Sequence, residues 1–190
     1  SSSLEATVQL LNGGGLPLAE DVDARSAATL AHLKWFQDFS DSTNVELGLS
    51  GYEVDSDHQL LGLDATYKWK PLAGGEWRSF LIGGEFFASL LDDPTLGDDP
   101  ESAYVWSQYQ FDKNLYLGVR YDWAQLLTDA SQSTDVLGAY LTYYTTEFLR
   151  LRLALEHTES DDPVLDGLNS AALEVNTGKL ATALLGSEVK

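Results

Sequence analysis

The chain has 190 residues, 44% of them hydrophobic, and its 30 acidic against 11 basic residues give a formal net charge of −19. A surface this acidic repels phosphate backbones, and the sequence shows no offsetting basic patch, so nucleic acid is excluded as a partner. The chain is too apolar for a disordered acidic polymer, and the absence of cysteine excludes disulfides, thiolate nucleophiles and cysteine-bound zinc.

Alternation of apolar and polar residues with period two predicts β-strands along the chain and no convincing helix. The predicted strands, in chain order, are 4–11, 28–39, 45–50, 61–69, 79–90, 103–111, 114–123, 136–144, 148–156 and 169–176. In 148–156, for example, four leucines at odd positions oppose Arg150, Arg152 and Glu156. The clearest segments have about the length of a tilted strand that crosses a bilayer.

The connections between these strands alternate between short and long. Short connections are predicted at 40–43, 70–77, 112–113 and 145–146, and long ones at 12–25, 53–59, 91–102, 126–135 and 158–168. In an up-and-down meander this alternation puts all short turns at one end, as in outer-membrane barrels. The long connections contain 17 acidic residues against the single Arg25, which accounts for 16 of the 19 net negative charges.

Aromatic residues near the predicted strand ends favour a membrane, because amphipathic rings prefer the headgroup boundary. Those near the short-turn end are Phe39, Trp69, Trp77, Phe80, Phe111, Tyr143 and Phe148; those near the long-loop end are Tyr52, Phe87, Tyr104 and Trp123. The alternative reading of the same rings is the core of a soluble β-sandwich.

The face opposite the apolar stripes carries charges of both signs. The residues expected to line a lumen are Lys34, Glu46, Asp64, Lys68, Glu85, Arg120, Asp122, Arg150, Arg152 and Glu156. Such charges have to be paired or wetted. They predict either a water-filled pathway or a salt-bridge network that plugs a narrow barrel, and a ten-stranded barrel favours the plug unless the real barrel is larger.

Three segments resemble the later barrel strands of porin-like proteins from Gram-negative outer membranes: 62–71 (GLDATYKWKP), 116–123 (YLGVRYDW) and 147–157 (EFLRLRLALEH). The similarity covers 29–157 and implies a β-barrel inserted into the outer membrane after export. Two features depart from the family. Members typically end on an aromatic residue, which 177–190 lacks, and larger relatives have more strands, which implies a truncated, remodelled or multi-chain barrel.

Other chemistry has less support in the sequence. Asp92, Asp93, Asp98 and Asp99 offer hard oxygen ligands for calcium or magnesium, but without the spacing of the twelve-residue calcium loop. The pair Asp57 and His58 resembles in outline the Asp/His sites of outer-membrane proteases, and no hydrolase or nucleotide-binding motif accompanies it. Acidic loop tips and rim histidines are more often simply solvated.

The sequence therefore predicts an all-β fold: an up-and-down antiparallel transmembrane β-barrel of about ten strands, with short periplasmic turns and long acidic extracellular loops. Residues 1–176 form the barrel domain, and 177–190 follow as a C-terminal tail. The expected function is non-enzymatic and needs no cofactor: a small pore, or a structural scaffold, in the bacterial outer membrane. Expected partners are outer-membrane lipid, divalent cations at the loops, and other chains that complete or cap the barrel. The alternative is a soluble β-barrel that binds an apolar ligand.

Overall fold

A computed structural model describes residues 1–12, 27–54, 58–72, 77–91, 99–126 and 129–176. The described chain is all-β, and each of the ten predicted strands is present, with ends that differ by four residues or fewer except at the start of β8, which begins seven residues earlier than predicted. The strands are β1 Ser2–Asn12, β2 Ala27–Ser40, β3 Thr43–Val54, β4 His58–Trp69, β5 Ser79–Leu91, β6 Glu101–Asp112, β7 Leu115–Leu126, β8 Asp129–Tyr144, β9 Arg150–Ser160 and β10 Asn169–Asn176. The predicted tail, 177–190, lies outside the described residues.

The ten strands form one antiparallel sheet in which every strand pairs with its neighbours in sequence. This confirms the predicted up-and-down order. The sheet is not closed: within the described residues β1 pairs only with β2, and β10 only with β9. Two strand edges therefore have no partner strand among the described residues.

The strand register divides the sheet into two faces that differ in chemistry and in burial. The exposed face contains Leu33, Leu63 and Val119, and the sheltered face contains Lys34, Asp64 and Arg120. Large apolar side chains on the exposed face remain open to solvent from β1 to β10. Most residues of the sheltered face on β2 to β9 are half-buried or buried. This distribution is the reverse of the usual burial of apolar side chains in a water-soluble protein.

The described residues form almost no apolar core. Among the described residues, Ala28, Val54 and Ala130 are the buried hydrophobic ones, and all three are small or medium in size. Backbone pairing between strands, and contacts across each face, hold the sheet together in place of a packed interior.

The predicted alternation of loop lengths is only partly correct. Residues 53–59 and 126–135 were expected to be long loops, but β3 and β4 leave only 55–57 between them, and β7 and β8 leave only 127–128. The physical reason is that backbone pairing continues through polar residues that carry no apolar alternation, with a register shift between Gln125 and Leu126. At the opposite end, the connection between β4 and β5 is one of the longer ones.

The aromatic residues form a band at one end of the exposed face. Trp69, Phe80 and Tyr109 lie opposite one another on adjacent strands, and the Tyr109 and Phe111 rings meet edge-to-face at 4.7 Å. The expected band at the other end is not formed as predicted, because the register puts Tyr52, Phe87 and Tyr104 on the sheltered face. Of that predicted set, Trp123 is the one on the exposed face. No helix in the described part of the chain is long and apolar enough to cross a membrane.

Candidate functional site

All ten residues expected to line a lumen lie on the sheltered face. One row across the sheet runs from Lys34 through Gly48, Asp64 and Glu85 to Tyr104. The row beside it contains Glu46 at one side and Arg120 and Glu156 at the other. Side chains alternate along a strand, so every second residue lies on the same face. This alternation and the alignment of neighbouring strands together place these charges on one surface.

The half of this surface on β2 to β6 is held by pairs between nearby strands. Lys34 Nζ lies 3.6 Å from Glu46 Oε1, and His32 Nε2 lies 3.6 Å from Asp64 Oδ2. The Tyr104 hydroxyl donates a hydrogen bond of 2.7 Å to Glu85 Oε2. Each of these groups is partly wetted, so the pairs orient side chains and contribute modestly to stability.

Arg120 on β7 is fixed by a neighbour on its own strand. Its Nε donates to both carboxylate oxygens of Asp122 at 2.8 Å, and its Nη2 lies 2.5 Å from Asp122 Oδ1. The guanidinium also stacks over the Tyr104 ring at 4.5 Å. The planar fork of arginine suits both contacts, which hold it in one orientation.

Arg152 on β9 is oriented by β8 without a carboxylate partner within the described residues. Its guanidinium stacks over the Tyr140 ring at 4.6 Å, and its Nε donates to Thr142 Oγ1 at 3.1 Å. The neighbouring Arg150 lies 3.7 Å from Glu174 on β10, and its buried Nε has no hydrogen-bond partner among the residues that the structure describes. Arg150 is therefore paired with a carboxylate, whereas the contacts described for Arg152 are with a tyrosine ring and a threonine hydroxyl.

Glycine makes room for the ring beneath Arg152. Gly118 lies opposite Tyr140, and a Cβ at Gly118 would overlap the Tyr140 ring. Gly48 has the same relation to the carboxylate of Asp64 on the other half of the surface. Small residues at these positions let larger cross-strand neighbours lie flat on the sheet.

Arg120 and Arg152 line a cavity of about 490 Å³ on the β6 to β10 half of the sheltered face. Its polar and aromatic lining includes Trp106, Arg120, Tyr140, Arg152, Glu156 and Glu174. Because the lining mixes both signs of charge with aromatic edges, the space suits water and small polar solutes rather than an apolar ligand.

Most of the remaining candidate residues lie outside the part of the chain that the structure describes. Asp92, Asp93, Asp98 and Asp57 lie outside the described residues, the side chain of His58 is not described, and Asp99 is exposed. Within the described ranges there is no cluster of three or more histidine, aspartate or glutamate side chains arranged to hold a metal. The metal and protease hypotheses therefore gain no geometric support here.

Sequence reasoning missed the residues that orient the arginines. Tyr104 was assigned to an aromatic girdle, although it bonds Glu85 and supports Arg120. Tyr140 and Thr142 were not singled out, although they support Arg152. Alternation along each strand already puts these residues on the charged face. The pattern of a single strand does not show which residues of the neighbouring strand lie opposite them.

No protein-family model matches this chain, and neither a curated protein nor a solved structure does. The fold therefore stands on the strand order and register alone, and the porin-like resemblance stays a prediction drawn from three segments.

Proposed function

We propose that this chain forms the wall of a β-barrel in the bacterial outer membrane, with lipid on its exposed face and a small aqueous passage along its sheltered face. The observation that carries this proposal is the inverted burial: leucines and rings remain open on one face while ion pairs are half-buried on the other. In water, a soluble monomer rarely exposes so continuous an apolar surface. In lipid, the same surface is the expected one.

A strand-built wall also meets the main constraint of the bilayer. Backbone N–H and C=O groups must be bonded within the protein there, and the ladders of an antiparallel sheet bond them between strands. The band of Trp69, Phe80 and Tyr109 supports an interface at one end of the exposed face.

The soluble alternative needs the opposite arrangement of faces. A soluble barrel that binds an apolar ligand has an apolar interior and a polar exterior. Here the sheltered face carries five basic and five acidic residues of the predicted set, and most of the large apolar side chains that are open to solvent are on the other face. The two faces thus favour a lipid-facing exterior.

A scaffold with a closed interior is the second candidate, and the ion pairs favour it. Lys34 with Glu46, Arg120 with Asp122, and Arg150 with Glu174 form the kind of network that fills a narrow barrel. The cavity in front of Arg152 favours the pore, because that arginine retains terminal nitrogens without an ion-pair partner in the described structure.

Planar-bilayer conductance of the purified chain separates these possibilities. We expect discrete channels, and we expect R150Q/R152Q to shift the reversal potential in a salt gradient toward cation selectivity, because positive charge leaves the wall. R78Q is the matched control: Arg78 is an exposed arginine outside the strands, just before β5, and its loss should leave selectivity unchanged. Absence of channels from liposome-inserted protein would favour the scaffold, and unchanged selectivity in R150Q/R152Q would remove both arginines from the pathway.

A further inference from the structure

The edges of the sheet, β1 and β10, resemble interior strands that lack one neighbour. On the exposed face Leu4 and Val8 of β1 are 67% and 70% exposed, and Leu173 of β10 is 70% exposed, whereas Leu49 and Leu153 on interior strands are 51% and 46% exposed. All residues of β10 are exposed, including those on its sheltered face. An additional strand beside each edge would restore the interior values.

Both edges carry the same division of faces as the rest of the sheet. Leu4, Val8 and Leu173 lie on the exposed face, and Glu5 and Glu174 lie on the sheltered face. Glu174 lies 3.7 Å from Arg150, and Glu5 lies opposite Lys34, whose amine is 3.6 Å from Glu46. Pairing of one edge with the other would therefore join apolar to apolar on one face and polar to polar on the other, with Lys34 and Arg150 on the strands next to the seam.

The directions of the two edges also suit each other. Ten strands in up-and-down order leave β1 and β10 running in opposite directions. A two-fold axis along a barrel preserves strand direction, so β10 of one copy runs antiparallel to β1 of a second copy. Two such seams produce a closed ring, because the rotation that relates the copies closes after two steps.

Closure of a single copy on itself has less support. A barrel of ten strands is narrow enough for its interior side chains to pack across the lumen. In the described structure every ion pair and ring stack on the sheltered face joins strands no more than two apart, as in His32 with Asp64 and Arg152 with Tyr140. The Arg120 side chain remains 48% exposed, as expected for the wall of a wider opening.

We propose that two copies of this chain complete one twenty-strand barrel, with β1 of each copy paired to β10 of the other. This inference rests on the proposed membrane function and names the partner that completes its lumen. Barrels of sixteen to eighteen strands already enclose an aqueous lumen, so the side chains of a twenty-strand wall do not fill its interior by themselves. The acidic long-loop end of each copy would then lie on the same side of the membrane.

Cysteine cross-linking tests this arrangement cleanly, since the chain contains no cysteine. Differently tagged single variants, V8C and L173C, would be mixed while unfolded, refolded together into liposomes and treated with a short bis-maleimide. We expect a covalent dimer that carries both tags, and no dimer when V8C is paired with itself, because the two β1 strands lie on opposite sides of the ring. Repeating the scan with L4C, A6C, A171C and V175C covers the possible registers.

The control pair is L49C with L117C, which lie on the exposed face of interior strands β3 and β7 and should give no dimer. A cross-link formed within single chains of the double variant V8C/L173C would overturn the proposal in favour of self-closure. The proposal would also be overturned if the protein co-floats with liposomes as a monomer and gives no cross-link at any of these positions. Flotation with liposomes is scored separately, so a chain that fails to float contradicts the membrane proposal, and one that floats as a monomer contradicts only the pairing.

Discussion

Leu63 provides the sharpest test of what covers the exposed face. It lies near the middle of β4, between Leu49 and Phe86 on the adjacent strands, and is 56% exposed. Full burial of a leucine is worth roughly 1.5–3 kcal/mol, so lipid cover of the 56% of Leu63 that remains open contributes about 1 kcal/mol. If lipid covers this position, L63A should lose about that amount of folding free energy.

Arginine at the same position separates lipid from water more strongly. At the bilayer midplane an arginine on the lipid face is destabilising by about 2–4 kcal/mol, which lowers the folding equilibrium constant roughly 30- to 700-fold. On a water-exposed surface the same change stays within about 0.5 kcal/mol. L63R is therefore expected to shift the urea midpoint for folding into liposomes markedly, as followed by tryptophan fluorescence and heat-modifiable gel mobility.

Depth along the strand supplies the control. Gln59 is on the same face of β4, one residue after the strand begins, and Q59R should lose only about 0–1 kcal/mol because arginine is tolerated at the interface. Equal and small effects of L63R and Q59R would refute a lipid-covered face. If L63R and Q59R both cause a large and equal loss of folding free energy, the cause is a local packing defect and not the depth of the residue in the bilayer.

Two further predictions concern local geometry. G118A places a methyl group where the ring of Tyr140 lies, so we expect urea titration to show a loss of about 1–3 kcal/mol in the free energy of unfolding. The double variant G118A/Y140A should lose less than the sum of the two single variants. Outside the expected bilayer span, hydrogen bonds from the Ser131 hydroxyl and then its backbone N–H hold the pKa of Asp129 below its ordinary value. This lowered pKa contributes stability above the unfolded pKa that is lost as pH falls, and S131A should raise the pKa of Asp129 in an NMR titration; an unchanged value would contradict the assignment.

The sequence pattern predicted the strands and their faces well, for a physical reason. Side chains alternate along any strand, so the leucines of 148–156 separate from Arg150 and Arg152 whatever lies beside that strand. The strand ends were less predictable. Between Ala124 and Asp135 the polar residues carry no alternation, yet backbone hydrogen bonds extend β7 and β8 through most of the segment.

The candidate site shows the same division. Parity placed the arginines on the charged face, but stacking of Arg152 on Tyr140 and of Arg120 on Tyr104 depends on cross-strand register, which one strand cannot specify alone. Whether the sheet closes was not predictable either, because closure depends on accumulated tilt and stagger over all the strands.

The neighbour-only order of the sheet has a consequence for how it assembles. Every pairing among the ten described strands of one chain joins consecutive strands, so none of these pairings waits for a distant part of that chain and the loop-closure entropy of each step is local. The sheet can therefore grow one hairpin at a time, and the strand made last always lies at the growing edge. The strands can then join the sheet in the order in which they are synthesised.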